Sequence, residues 1–173
     1  MVEVPKSVSA RDDSNSVREA TISDLETISD FRLEFVASIK SLSETEAKTY
    51  RRGQAKMFRR LMESGDYRLW VYESDGAVHG TCALDLSESR GSGELSAVFT
   101  RRDKRRLGIA STLLEKAIDF AVESKLERIV LQPTDLSLEL YKKFGFKKIG
   151  GRMELLLADR RTAQDSVPVR GSN

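Results

Sequence analysis

From Leu107 to Ser124 apolar side chains recur with a helical period. Ile109, Leu113, Ala117 and Ala121 stand four apart, flanked by Ala110, Leu114, Ile118 and Val122. Two earlier helices are marked by capping pairs. Ser23 with Glu26 opens a run whose apolar positions are Leu25, Ile28, Phe31, Leu33, Phe35 and Val36. Ser43 with Glu46 opens a second, thinly apolar run that reaches about Glu63 and stops at Gly65. A short helix is expected over Asp135 to Phe144, closed by Gly145. Between the helices lie β-rich segments: Val17 to Ala20, Tyr67 to Glu73, Ala77 to Leu86, Glu94 to Thr100, Arg128 to Leu131 and Met153 to Leu157. Ser74-Asp75-Gly76 is a hairpin turn signal. Glu94 to Leu131 forms one strand–helix–strand unit, which requires its two strands to run parallel.

Length and composition narrow this pattern to one soluble globular domain. The chain has 173 residues, 39% hydrophobic and 32% charged, without repeats or low-complexity linkers. The polar ends, residues 1–16 and 159–173, are expected to fray around a domain at 17–158. No apolar run approaches a membrane span, and the first residues lack a signal-peptide core, so a cytoplasmic location without membrane attachment is expected. The lone Cys82 and lone His79 make a poor metal site, and none is expected. Cys82 reads as a small buried hydrophobe, and Trp70 and Tyr72 as core or wall residues.

Charge changes the picture only locally. The net charge is +2, yet Arg101, Arg102, Lys104, Arg105 and Arg106 crowd one segment. That pattern points to a small anionic ligand more than to a nucleic-acid track. The segment ends a strand and opens the clearest helix, where free backbone N–H groups and the helix dipole converge on an anion. Gly108 lets backbone approach such a ligand, Ala110 keeps the next turn close, and Ser111 adds a hydroxyl. Arg105 and Arg106 add charge-assisted hydrogen bonds.

Arg105-x-x-Gly108-x-Ala110 resembles the Arg/Gln-x-x-Gly-x-Gly/Ala signature of the GCN5-related N-acetyltransferases, in the same strand-to-helix setting. About thirty residues on, Leu140-Tyr141-Lys142-Lys143-Phe144-Gly145-Phe146 is similar to that family's Leu-Tyr-x-x-x-Gly-Phe segment. The likeness extends from about Val17 to Leu157, with most motif information in the second half. It implies a mixed α/β (α+β) fold, with a mostly antiparallel central sheet of about six or seven strands and helices on both faces.

The resemblance also implies acetyl-CoA as co-substrate. Its pantetheine arm would pair with strand backbone at Val98, Phe99 and Thr100, and its pyrophosphate would sit on Arg105, Arg106, Leu107, Gly108, Ile109, Ala110 and Ser111. Tyr141 corresponds to the family's general acid. The position often asparagine before that helix is Thr134, which can cap or bind water, and an expected proline is Arg102. The general base stays open. Glu94 comes first, because it and Ser96 share strand parity with Val98 and Thr100, and Asp85, Glu34, His79 or a water chain are the alternatives. The expected reaction is acetyl transfer to a primary amine, in a small molecule rather than a protein terminus, with no nucleic-acid partner. Oligomeric state is left open, a homodimer included. A non-catalytic acyl-CoA-binding module and, more remotely, a nucleic-acid-binding protein remain as other readings. The second helix carries Arg51, Arg52, Lys56, Arg59 and Arg60, suited to an acidic ligand or to solvent.

Overall fold

The computed structural model describes residues 16–87, 91–158 and 160. The expectation of frayed ends therefore falls outside the described residues, apart from Ser16 and Arg160. Seven strands form one sheet in the order β1-β2-β3-β4-β5-β7-β6. They are β1 (Ser16–Glu19), β2 (Tyr67–Ser74), β3 (Ala77–Asp85), β4 (Ser92–Thr100), β5 (Arg128–Leu131), β6 (Lys147–Ile149) and β7 (Arg152–Leu156). Every neighbouring pair is antiparallel except β4 with β5, as the strand–helix–strand unit requires. The mostly antiparallel, mixed α/β architecture is the one expected. β6 had no strand signal of its own, because its residues Lys147, Lys148 and Ile149 are all exposed.

Among the described residues, helices α1 (Leu25–Ala37), α2 (Glu44–Ser64), α3 (Ile109–Glu123) and α4 (Leu138–Lys143) cover the sheet. The periodic face of α3 is buried as expected, with Leu113, Leu114, Ala117, Ile118 and Ala121 inaccessible to water. They pack with α4 on the Trp70, Cys82, Leu84, Leu95 and Leu131 side of the sheet. Trp70 is a core residue, its ring 5.4 Å from Phe120. On the opposite side Leu25, Ile28 and Phe58 of α1 and α2 meet Leu69, Val71 and Ala83. No helix among the described residues is long and apolar enough to cross a membrane.

The capping signals were read correctly for α2 and displaced for α1. Ser43 N–H donates to Glu46 Oε2 at 2.8 Å, the Glu46 N–H returns to Ser43 Oγ at 3.3 Å, and Gly65 closes the helix in the left-handed region at φ 82°. At α1 the cap is Thr21 with Asp24, not Ser23 with Glu26. Thr21 donates to Asp24 Oδ2 from its backbone at 2.7 Å and from its hydroxyl at 3.0 Å, and a 3-10 turn (Ile22–Asp24) precedes the helix. The cause lies outside the helix. Arg18 on β1 grips the buried Asp24 carboxylate with two bonds, 2.8 and 3.0 Å, and reaches Glu73 on β2 at 2.6 Å. The expected helix over Asp135 to Phe144 likewise splits into a 3-10 turn (Asp135–Ser137) and α4.

Inside α2, Gly53 stands exposed, and a Cβ built there would meet nothing within 4 Å. Packing therefore does not require a glycine, which costs about 1 kcal/mol relative to alanine inside a helix. Gly53→Ala is expected to raise stability by about 1 kcal/mol, read as an upward shift of a few degrees in the thermal midpoint. A second prediction concerns acid. The Arg18 hydrogen bonds hold the Asp24 carboxyl below its usual range, with burial opposing. Stability from this pair is full above the unfolded carboxyl value of about 3.9 and is lost as pH falls through the lower folded-state value. Asp24→Asn should lower stability by about 2 kcal/mol at neutral pH in urea titrations, a gap to the parent that narrows below about pH 4.

Candidate active site

The site is built on a defect in β4. Thr81 of β3 faces Phe99 and Ala83 faces Ser96, so Cys82 alone stands opposite Ala97 and Val98. Ala97 occupies the left-handed region at φ 49°, which makes the extra residue a β-bulge. Its carbonyl accepts the Thr81 hydroxyl at 2.6 Å. Leu95 and Val98 lie on the α3 side of the sheet, although they are three residues apart. Ser96 reaches the Tyr67 hydroxyl at 3.2 Å, and Ala97 packs on the α1/α2 side. Phe99 then stacks on Phe31 of α1, centroids 4.8 Å apart.

The bulge corrects one expectation. Glu94 and Ser96 do not share a face with Val98 and Thr100, because one inserted residue inverts the alternation beyond it. No glycine marks Ala97, so the insertion left no local signal.

Beyond the bulge β4 loses its neighbour. Pairing with β5 is confined to Ser92–Leu95 against Arg128–Leu131. Arg101 N–H donates to His79 O at 2.9 Å, which directs the backbone of Arg101 and Phe99 toward β3. By alternation, Val98 and Thr100 present theirs to the opening where β5 has ended. The Thr100 carbonyl already accepts Arg105 Nε at 3.2 Å, leaving its N–H toward the opening. The Thr100 hydroxyl oxygen is buried without a partner. Phe99 contributes differently, by holding the strand through its ring and its β3 bonds.

The basic loop follows directly. Arg101 is engaged by Asp103 at 3.0 and 3.1 Å, while Arg105, Arg106, Leu107 and Gly108 are exposed. Arg106 and Gly108 sit at φ 68° and 82°, bending the backbone into a concave nest. Gly108 is the N-cap of α3 without any capping side chain, so the N–H groups of Ile109, Ala110 and Ser111 lack intrahelical partners. Space in front of Gly108 is open, a Cβ there meeting nothing within 4 Å. Beneath this turn lies Gly80 of β3. A Cβ on it would stand 2.8 Å from Ile109 Cγ2 and 2.9 Å from the Phe99 carbonyl oxygen.

Tyr141 lies on α4, in the core cluster on the α3 side of the sheet against which Val98 also packs. It is 5% exposed, its ring 5.7 Å edge-on from Phe146, and burial pushes its phenol up to about 12. The Cys82 thiol lies within its electrostatic reach and is itself pushed up to about 12 by burial. Thr134 is spent on the cap of its turn, its hydroxyl 3.0 Å from Ser137 Oγ.

Candidate bases separate clearly. Glu94 is half-buried on β4, facing Asp85 across one strand pair and Val130 across the other. Asp85 accepts the Ser87 N–H and hydroxyl at 2.9 and 2.6 Å. His79 belongs to the other end of β3, with Nε2 3.1 Å from the Ser74 carbonyl oxygen, and is not gathered with the acids. Glu34 on α1 is half-buried. Tyr67 was not singled out from sequence. Its ring crosses β3 to reach Ser96, a contact set by sheet register (Tyr67 opposite Asp85, Asp85 opposite Glu94) that no local pattern carries. Burial pushes the Tyr67 phenol up to about 12.

Known proteins resemble the chain in sequence or in fold. Over 99 residues the chain is 32% identical to the probable N-acetyltransferase camello of Xenopus tropicalis, a match covering 55% of this chain and 44% of that protein. The chain thus matches less than half of that relative's length. The PaiA N-acetyltransferase of Thermoplasma acidophilum, solved in complex with coenzyme A, superposes with a TM-score of 0.67 at 21% identity, covering 83% of this chain and 99% of that one. A putative acetyltransferase, YncA of Salmonella typhimurium, solved with acetyl-CoA, gives 0.67 at 19% identity, covering 83% and 94%. At those identities the likeness is one of fold. A family model described as the acetyltransferase (GNAT) domain matches residues 37–155, more than half of the sequence, and the chain therefore belongs to the GNAT acetyltransferase family.

Proposed function

We propose that the protein transfers the acetyl group of acetyl-CoA to a primary amine of a small molecule, by direct attack in a ternary complex. The carrying observation is the unpaired edge of β4 that runs straight into the exposed nest before α3. An extended amide-bearing arm fits that edge as an added strand, on the free backbone of Val98 and the N–H of Thr100. The orphaned Thr100 hydroxyl supports the fit, since a buried polar atom without a partner is costly unless a ligand meets it. Arg105, Arg106, Leu107, Gly108, Ile109, Ala110 and Ser111 would hold the pyrophosphate through backbone N–H groups, the helix dipole and guanidinium charge.

When bound, acetyl-CoA supplies the acyl group as a thioester. The chain's own groups do the rest. A β4 N–H at the bulge stabilises negative charge that develops on the carbonyl oxygen. Glu94 takes the proton of the incoming ammonium, directly or through water, from the α1/α2 side. Tyr141 gives its proton to the departing thiolate. In water a thiolate of conjugate pKa about 8.5 is a weak match for a phenol. Here the Cys82 thiol, in the same surroundings, is raised to about 12, level with Tyr141. A thiolate left against the same apolar side chains is raised in the same direction, which favours its taking the Tyr141 proton.

Tyr141 favours an enzyme over a silent acyl-CoA-binding module, which has no use for a buried phenol. Calorimetric titration with acetyl-CoA tests the cofactor site. Micromolar binding is expected, weakened at least about tenfold in Arg105→Ala/Gly108→Glu, which removes a donor and places a side chain and negative charge at φ 82°. No binding by the unchanged protein would sink the reading, and binding without thiol release across an amine panel would favour the silent module. Tyr141→Phe should leave acetyl-CoA affinity intact and lower kcat by about a hundredfold. Because the phenol stays protonated to about pH 12, the parent's rate should show no alkaline decline from Tyr141 below about pH 10.

A further inference from the structure

The outward side of α2 carries a cationic surface to which the proposed reaction assigns no role. Between Ala47 and Met62 the helix holds six Lys and Arg residues and no acid. Lys48 is neutralised by Glu44 at 2.6 Å, and Arg51 by Glu26 at 2.9 Å and by Asp30. Arg52, Lys56, Arg59 and Arg60 are exposed and form no ion pair among the described residues. Four unpaired cations on about two and a half turns are a strong local field for a chain of net charge +2.

Two shallow cavities border this stripe. One, about 600 Å³, is lined by Gly53, Lys56, Met57, Arg60, Leu61 and Ser64. The other, about 590 Å³, lies between α1 and α2, with Ile22, Leu25, Glu26, Arg51, Arg52 and Arg59 among its lining residues. Gly53 is the independent sign of a partner. It weakens the helix without relieving any crowding within the chain, and its bare backbone opens the first cavity to a close approach.

The chemistry of the surface selects its occupant. A second copy would bring like charges together. A bilayer would need the apolar face of α2, which is turned inward through the buried Phe58. A nucleic acid would find phosphate partners but no exposed aromatic ring on the stripe, where Met57 is the exposed apolar side chain. We propose that this face of α2 docks an acidic segment of a partner protein that also carries aliphatic side chains. Its carboxylates pair with Arg52, Lys56, Arg59 and Arg60, and its aliphatic groups lie over Gly53 and Met57. Because α2 rests on α1 and β2, and β2 lies two strands from β4, the docked segment leaves the cofactor opening free. The surface thus tethers the enzyme to a partner without covering the cofactor opening.

Fluorescence anisotropy with a labelled peptide of about 18 residues, mostly Glu and Asp with Leu at every fourth position, tests the proposal at roughly 50 and 200 mM salt. Arg52→Ser/Lys56→Ser/Arg59→Ser/Arg60→Ser should weaken binding by at least about tenfold while retaining acetyl-CoA affinity, which reports an intact fold. Gly53→Tyr keeps every charge and fills the first cavity, and should weaken binding by about fivefold. Binding unchanged in either variant overturns the proposal. So does absence of binding by the parent, or equal or tighter binding of a charge-matched RNA or of phosphatidylserine vesicles.

Discussion

Everything at the candidate site rests on the closeness of α3 to β3 at Gly80. Ile109 occupies the volume that a side chain at Gly80 would fill, and the Phe99 carbonyl of β4 closes the other side of that volume. The first turn of α3 is thereby seated on the sheet beside the end of β4, so the unsatisfied N–H groups of Ile109, Ala110 and Ser111 face the strand's open edge. A helix dipole acts only over its terminal turn. A displacement by the thickness of a methyl group would aim it elsewhere. Leu113, Ala117 and Ala121 extend the same seat along the helix, and their burial carries the energy that keeps the short contact in place.

The bulge at Ala97 is the complementary constraint. It separates the strand into a segment paired with β5 and a segment without that partner, and it sorts side chains between the sheet's two sides. Val98 and Thr100 fall on the side of α3 and Tyr141; Glu94, Ser96 and Tyr67 fall on the side of α1 and α2. In the proposed reaction this division keeps the group that protonates the thiolate away from the group that deprotonates the amine. Acid and base on one face at contact distance would exchange a proton with each other.

How much of this was legible depended on the range of the interaction. The α3 helix, its basic loop and the α2 caps were read from spacing because the forces that set them act within a few residues. The α1 cap was misread because Arg18, on the preceding strand β1 and itself tied to Glu73 of β2, decides which acid turns inward. β6 escaped because it pairs through its backbone alone, with all three side chains in solvent. The bulge escaped because an alanine in the left-handed region looks like any other alanine in a strand. The Tyr67–Ser96 contact spans three strands and exists only once the register is fixed.

The two outer strands have a consequence for the molecule in a crowded solution. β1 offers four residues, including Arg18 and Glu19, and β6 offers three, including Lys147 and Lys148. A sheet that ends in long, uncharged strands invites another chain to continue its ladder. Here any incoming strand would gain only a few hydrogen bonds and would have to approach fixed charge at either margin. Among the described residues, the ladder of β4 beyond Leu95 is left without a β5 partner in the interior of the sheet, where β3 and β5 flank it and a slender ligand has less to displace than a whole strand would.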